Sequence, residues 1–206
     1  FAFGLDEAMK YSQAWDWRCF LATMIVCNTK EVDMLAATEV LFREFPDPGA
    51  ILSCIGNRKR VHAVLRIFKN HGIRHAKRKT VDIIRATHAI EYEHNGRIPK
   101  DRRALTKMRG VGRHVSSVTM AWVHREAEFG VDVHVRRILE RWEFIPKRAR
   151  EVDIEKLVKE RVPKEEIGHF SRSLVDLGQE ICGYVPDCEA CWARGCCPSA
   201  SKFLEW

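Results

Sequence analysis

The sequence predicts an all-α fold from two observations. Apolar residues recur three and four positions apart along most of the chain, which is the spacing of one face of an α-helix. No stretch alternates apolar and polar residues for long enough to predict a β-strand. The first apolar stripe stops before Pro46-Asp47-Pro48-Gly49, a sequence that breaks a helix. The stripes cover positions 34–45, 61–68, 83–90, 115–122, 135–142, 154–158 and 167–181.

Length and composition are those of a globular protein. The chain has 206 residues, of which 46% are hydrophobic and 31% charged, so it can bury a sizeable core. This composition excludes disordered and collagen-like proteins. No apolar run approaches the roughly 18 residues of a membrane span. Residues 1–6 have no charged segment ahead of an apolar stretch, so we expect no secretory signal peptide.

Positive charge is concentrated in one segment. Lys and Arg together number 35 against 28 Asp and Glu, a formal net charge of +7. Positions 58–79 contain basic residues and three histidines but no acidic residue. A solvated helix face is the alternative explanation, but such faces usually mix both signs of charge. The segment therefore predicts binding to a polyanion such as the phosphate backbone of a nucleic acid.

The cysteines are concentrated at the other end of the chain. Five of the eight lie between Cys182 and Cys197, whereas Cys19, Cys27 and Cys54 stand singly in apolar surroundings and are expected to be buried thiols. A secreted domain built on disulfides would spread its cysteines through a short chain. The clustering favours a metal or iron–sulfur site in a reducing compartment.

A glycine-rich turn lies between two predicted helices. Gly110-Val111-Gly112 follows a helix that ends near Leu105 and precedes the stripe that begins at Val115. Two glycines around one apolar residue allow a tight hairpin whose backbone N–H groups point outward at a helix N-terminus, a geometry that binds phosphate. An ordinary helix–helix turn is the alternative. About twenty residues later, Asp132 directly precedes another helix, where an aspartate is most often a simple N-cap.

Four features in series resemble those of one known family. They are Glu93-His94-Asn95-Gly96-Arg97-Ile98-Pro99, the Met108–His114 hairpin, the segment around Asp132, and the C-terminal cysteines. In this order they resemble the helix–hairpin–helix DNA glycosylases of the endonuclease III superfamily, over about residues 15–197. The resemblance implies two helical lobes with a DNA-binding cleft between them. Residues 15–126 would form a six-helix lobe with the helix–hairpin–helix motif, and residues 1–14 with 127–206 a lobe with the cluster loop at 182–197.

The resemblance also implies roles for individual residues. Asp132 matches the catalytic aspartate, whose carboxylate stabilises positive charge on the sugar and positions or deprotonates a water. Asn28 matches the residue that fills the gap left when the target base is flipped out, and Ile73 the apolar wedge beside it. The implied DNA-binding residues are Asn28, Ile73, Arg74, Gly110, Val111, Gly112 and Arg113.

The C-terminal cysteines resemble the family's cluster loop with one departure. Cys182, Cys188, Cys191 and Cys197 have the spacing C-x5-C-x2-C-x5-C, and the first gap is one residue shorter than in the family. Four thiolates in one compact loop suit a [4Fe–4S] cluster better than the two separated pairs usual for structural zinc. Zinc is the alternative metal, and Cys196 is the alternative to Cys197 as fourth ligand.

A histidine replaces the residue that defines the bifunctional members. Those members have a lysine two positions after the last glycine of the hairpin, and its amine attacks the sugar to form a Schiff base. This chain has His114 there, and an imidazole forms no stable iminium. We therefore predict a monofunctional enzyme with weak or absent lyase activity, in which His114 orients the water, contacts the base or moves a proton. The alternative is that His114 only contacts phosphate.

The predicted substrate is thymine or uracil opposite guanine in double-stranded DNA. The adenine-specific mismatch enzymes have a glutamate acid where this chain has Thr23, which cannot protonate a purine. Three alternatives stay open: a bifunctional glycosylase/lyase acting on oxidised pyrimidines, an adenine-mismatch glycosylase, and a non-catalytic protein that binds DNA lesions. We expect a monomer without a membrane partner, located at the cytoplasmic nucleoid.

Overall fold

The computed structural model describes residues 13–204, with side chains from residue 15, and the described part contains helices but no strand. Its elements are α1 (Gln13–Val26), α2 (Glu31–Glu44), α3 (Pro48–Leu52), α4 (Arg58–Asn70), α5 (Ala76–Glu93), α6 (Arg102–Lys107), α7 (Arg113–Trp122), α8 (Val133–Arg141), α9 (Glu151–Arg161), a short 3₁₀ helix (Lys164–Glu166), α10 (Ile167–Glu180) and α11 (Ser201–Leu204). The predicted all-α class is confirmed. Within the described residues, no helix is long and apolar enough to cross a membrane.

The chain divides into two compact units between Arg125 and Glu126. The first contains α1 to α7 and the second α8 to α11. The expected boundary lies one residue further along the chain. The further expectation that residues 1–14 join the second lobe concerns mostly positions outside the described residues.

Helix α1 forms the centre of the first unit. It packs against α2, α5 and α7, and its residues from Cys19 to Ile25 are all buried. A helix surrounded by other helices is apolar on every side, so it has no one-sided stripe. For that reason the spacing of apolar residues did not single out this helix.

Short polar side chains start several of the helices. Asp47 accepts a hydrogen bond from the amide of Ala50 at 2.8 Å, and Pro48 occupies the first position of α3. The sequence Pro46-Asp47-Pro48-Gly49 therefore ends one helix and begins the next. Asp101 caps α6 in the same way, accepting hydrogen bonds from Arg103 and Ala104.

The second unit has a separate core. Helix α8 packs against α10, and the side chains of Val135, Ile138 and Leu139 are fully buried there with Phe129. The first residue of α8 follows Asp132, so the packing of this helix fixes the position of that carboxylate.

Candidate functional site

The glycine hairpin joins α6 to α7 in the first unit. Gly110 has a φ of 82°, a conformation that favours glycine, and a Cβ there would lie 2.8 Å from Cβ of Asp82. The Val111 side chain is buried and its amide donates to the carbonyl of Met108 at 3.1 Å. The side chain and the amide of Val111 are therefore both engaged within the protein, and its predicted contact with DNA stays a prediction. The amides of Gly110 and Gly112 make no such bond among the described residues, and Gly112 begins α7 without a side-chain cap.

A buried carboxylate supports the hairpin from behind. Asp82 on α5 is 4% exposed, and its Oδ1 accepts a hydrogen bond from Nε of Arg109 at 2.8 Å. Its Oδ2 accepts from Nε of Arg78 at 3.3 Å. The two arginine side chains remain 55% and 73% exposed, so each has donors left for an anion. Sequence reasoning missed Asp82, although it is the first acidic residue after the basic segment.

His114 lies in the first turn of α7. It is half-buried, and its Nδ1 is buried without a hydrogen-bond partner among the described residues. An unpaired buried nitrogen is costly unless a ligand or water satisfies it. The nitrogen is enclosed by the protein, so an internal water is the partner it would take in this conformation.

Asn28 lies in the turn between α1 and α2. Its side chain is exposed and its φ is 56°, the left-handed conformation that asparagine adopts more readily than most residues. Asn28 borders an open cavity, together with Cys27, Lys79, Asp82 and Gly110. The structure thus brings Asn28 and the hairpin, which are far apart in sequence, to the same cavity.

The turn before α5 differs from expectation. Ile73 is 4% exposed and belongs to the core of the first unit, so in this conformation it does not form a wedge at the surface. Burial of an isoleucine side chain is favoured in free energy over its exposure to water, and this turn places the side chain in the core of the first unit. The neighbouring Arg74 and His75 are the exposed side chains of the turn.

The basic segment presents most of its charge to solvent. Seven of its cationic side chains are exposed: Arg58, Lys59, Arg66, Lys69, Arg74, Lys77 and Arg78. Arg60 instead stacks over the ring of Phe45 at 4.9 Å from its centroid, and Lys79 is 8% exposed. Sequence alone could not distinguish Arg60 and Lys79 from the other seven cations, because the order of charges along the segment does not show which side chains are buried.

Asp132 begins α8 in the second unit. Its Oδ1 accepts a hydrogen bond from the amide of Val135 at 2.7 Å, so the residue is an N-cap. Oδ2 makes no hydrogen bond among the described residues, and the side chain is half-buried. The cap and the catalytic assignment are compatible, because one oxygen fixes the carboxylate while the other is left to act on a water or a developing cation.

Helix α8 also binds the start of the cysteine loop. Arg137 donates from Nε to the carbonyl of Cys182 at 2.9 Å, and Arg141 donates to the Cys182 sulfur at 3.1 Å. Arg141 further binds the carbonyls of Gly183 and Tyr184 at 2.7 and 2.9 Å. The first cysteine of the loop is thus held against the helix that begins after Asp132.

Four cysteines of the C-terminal loop lie around one pocket. They are Cys182, Cys188, Cys191 and Cys197. Burial raises the pKa of Cys188, and the nearby Cys182, Cys197 and Cys191 raise it further. Yet among the described residues no three Cys, His, Asp or Glu side chains are gathered closely enough to hold one metal ion. The four thiols thus line the pocket without converging on a single point.

The fourth ligand position is better suited to Cys197 than to Cys196. Cys196 is exposed, and its sulfur is 3.3 Å from the carbonyl of Ala193. Cys197 is half-buried and lines the pocket with the other three thiols.

The chain matches no protein-family model. It is similar in sequence to endonuclease III of Thermotoga maritima, with 25% identity over 183 residues that cover 88% of this chain and 82% of the relative. Endonuclease III of Escherichia coli is 28% identical over 183 residues, which cover 88% of this chain and 83% of the relative.

Solved structures share the fold. One is an endonuclease III in a non-covalent complex with DNA, with a TM-score of 0.82, 21% identity, and coverage of 91% of this chain and 85% of that chain. Another is a thermostable thymine-DNA glycosylase, with a TM-score of 0.77, 17% identity, and coverage of 96% and 89%. At these identities the two structures establish the fold.

Proposed function

We propose that the chain, which is similar in sequence and fold to endonuclease III, is a monofunctional DNA glycosylase of the helix–hairpin–helix type. It would hydrolyse the N-glycosidic bond of a flipped base in double-stranded DNA and leave an abasic site. This is the first step of base excision repair.

The observation that carries the proposal is the hydrogen bonding of Asp132, in which one carboxylate oxygen is bound by the protein and the other is not bound among the described residues. Breaking an N-glycosidic bond builds positive charge on the sugar, and a fixed carboxylate stabilises that charge. The amide of Val135 holds Oδ1, and Oδ2 is left to position or deprotonate the attacking water.

The monofunctional assignment rests on the residue that replaces the nucleophilic lysine. His114 occupies the position of the nucleophilic lysine, and an imidazole forms no stable Schiff base with the sugar. Lys107 is exposed at the end of α6, on the other side of the hairpin turn. Lys79 is buried, and its ammonium is occupied by three hydrogen bonds. The hydrogen bonds of Lys79 thus hold its amine away from any nucleophilic role.

A pyrimidine opposite guanine, thymine or uracil, is the proposed substrate. Thr23 occupies the position of the acid that adenine-specific enzymes use, and its hydroxyl donates to the carbonyl of Phe20 at 2.7 Å. It is 6% exposed, so it offers no proton to a purine.

We also propose the contacts that bind DNA and a metal cluster. The amides of Gly110 and Gly112 and the arginines held by Asp82 would bind phosphates, with Arg113 beside them, and Asn28 would fill the gap in the duplex. Cys182, Cys188, Cys191 and Cys197 would hold a [4Fe–4S] cluster whose role is to shape the loop.

Replacing Asp132 with Asn tests the proposal. The amide oxygen keeps the cap of α8, but the negative charge is lost, so base release should fall by about a hundredfold or more. Binding to the same duplex should change little. Release and binding would be measured on one labelled duplex with a T·G pair. Release that survives the substitution would refute the role of Asp132, and equal loss of both would point to misfolding, which circular dichroism would detect.

A further inference from the structure

One buried ammonium group is not used by the proposed chemistry. Lys79 on α5 is 8% exposed, and its Nζ donates to the carbonyls of Ile25 and Cys27 at 2.5 and 2.6 Å. It also donates to Oγ1 of Thr29 at 2.9 Å. An ammonium has three N–H groups, and the three acceptors use all of them. A buried charge with every donor satisfied is an ordered feature of the fold.

These acceptors lie on both sides of Asn28. Cys27 and Thr29 are its immediate neighbours, and Asn28 itself has a left-handed φ of 56°. A turn with one residue in this conformation needs support, because that conformation is costly for most side chains. Lys79 supplies the support across more than fifty residues of sequence.

The same network reaches the turn before α5. Oγ1 of Thr29 accepts a hydrogen bond from the amide of Arg74 at 3.3 Å as well as one from Lys79. The turn with Asn28 and the turn with Arg74 are therefore joined through one hydroxyl. Both residues are exposed, so the network fixes the spacing of two side chains that face solvent.

We propose that Lys79 is a positioning residue for DNA: its ammonium fixes the turn that carries Asn28, and with it Arg74, in the conformation that enters the gap left by the flipped base. This inference rests on the proposed function. Lys79 does not touch the reacting atoms. It acts through the backbone of residues 25–29, which it holds before DNA arrives.

If Lys79 holds this turn, the effect of the turn on DNA binding should depend on pH and follow the protonation of the Lys79 ammonium group. Burial lowers the pKa of Lys79 to about 8, and the nearby Cys27 opposes that shift. The neutral amine has two N–H donors for three acceptors, so the turn should loosen as the pH rises above 8. Cys27, His75, Arg78 and Asp82 line the same cavity, and Arg109 pairs with Asp82. A pH dependence of DNA binding that comes from these groups would persist when Lys79 is replaced.

The test compares Lys79→Met with Lys77→Met. Both substitutions remove one positive charge from α5, but Lys77 is exposed and makes no hydrogen bond to the turn. Affinity would be measured for a duplex with a stable abasic-site analogue and for the undamaged duplex. Lys79→Met should reduce the preference for the abasic duplex by roughly ten- to hundredfold, because a displaced turn cannot fill the gap. Lys77→Met should weaken both affinities alike and keep their ratio.

The pH dependence separates positioning from a general structural role. In the wild-type chain the preference should decline between pH 7.5 and 9, following the pKa of about 8, whereas in Lys79→Met it should be low and flat. Thr29→Val is a second variant, which removes one acceptor and leaves Lys79 its two carbonyls. Thr29→Val should lower the preference for the abasic duplex by less than Lys79→Met does. It takes the place of Lys79→Met in the test if that variant does not fold.

The outcomes distinguish this inference from the proposed function. If the wild-type chain releases bases and prefers the abasic duplex, but Lys79→Met and Thr29→Val keep that preference at every pH, the positioning role is refuted. A wild-type chain that neither releases a base nor prefers the abasic duplex would refute the proposed function, and the inference with it.

Discussion

His114 is the residue on which the mechanism depends most. A histidine two positions after Gly112 cannot form the Schiff base that a lysine would form, so borohydride should trap no covalent complex between the wild-type chain and DNA. His114→Lys should restore the amine at the start of α7 and yield a trapped complex. Gel analysis after borohydride treatment measures both. A trapped complex with the wild-type chain would mean that another amine attacks the sugar.

Substitution by alanine should have different effects on stability at the two hairpin glycines. Gly110 has a φ of 82° and lies against Asp82, so Gly110→Ala combines backbone strain with a clash and should destabilise the fold by about 2–4 kcal/mol. Gly112 has a φ of −88° with no atom within 4 Å of an added Cβ, so Gly112→Ala should cost less than about 1 kcal/mol. Urea unfolding of both variants measures the difference. Equal losses would contradict the role given to Asp82.

Individual residues were predictable when their chemistry was local. Asp132 ahead of a helix and the glycines of the hairpin follow from the types of their neighbours, and the structure gives both the backbone roles expected of them. The burial of Ile73 and the contacts of Lys79 and Asp82 depend on residues far away in sequence, as the 54 positions between Lys79 and Ile25 illustrate. Spacing within a segment carries no information about such contacts.

At the scale of elements, amphipathic helices were predicted and the buried one was not. Stripes in α2, α4, α5 and α7 to α10 identified helices with one face on a core, whereas α1 is buried on every side. The one-turn helix α3 is too short for any periodicity and depends on Asp47 and Pro48 at its start.

The cysteine loop gives an element-scale prediction with a matched control. Cys197 lines the pocket with three other thiols, and the adjacent Cys196 is exposed. Cys197→Ser should therefore lose bound iron and the visible absorbance of a cluster, while Cys196→Ser should keep both. Iron content and absorbance of the two purified variants, prepared without oxygen, measure this. If Cys197→Ser retained iron and Cys196→Ser lost it, Cys196 rather than Cys197 would be the fourth ligand.

At the scale of the whole molecule, the two units carry different parts of the proposed reaction. The first unit holds the basic surface, the hairpin and Asn28, while the second holds Asp132 and the cysteine loop. The net charge of +7 favours a polyanionic partner, and the exposed cations of positions 58–78 account for a large share of it. Binding and chemistry are thus separable by substitution, as the Asp132→Asn experiment requires.

The measurement that tests the central claim most directly uses end-labelled duplexes with a single altered pair: T·G, U·G, adenine opposite 8-oxoguanine, or thymine glycol. Each would be incubated with the wild-type chain and analysed with and without hot alkali, which cleaves the strand at an abasic site. We predict breaks at T·G or U·G that occur only after alkali, because water and Asp132 release the base and no amine cuts the strand. Breaks without alkali, or no release from any of the four duplexes, would contradict a monofunctional glycosylase acting on mispaired pyrimidines.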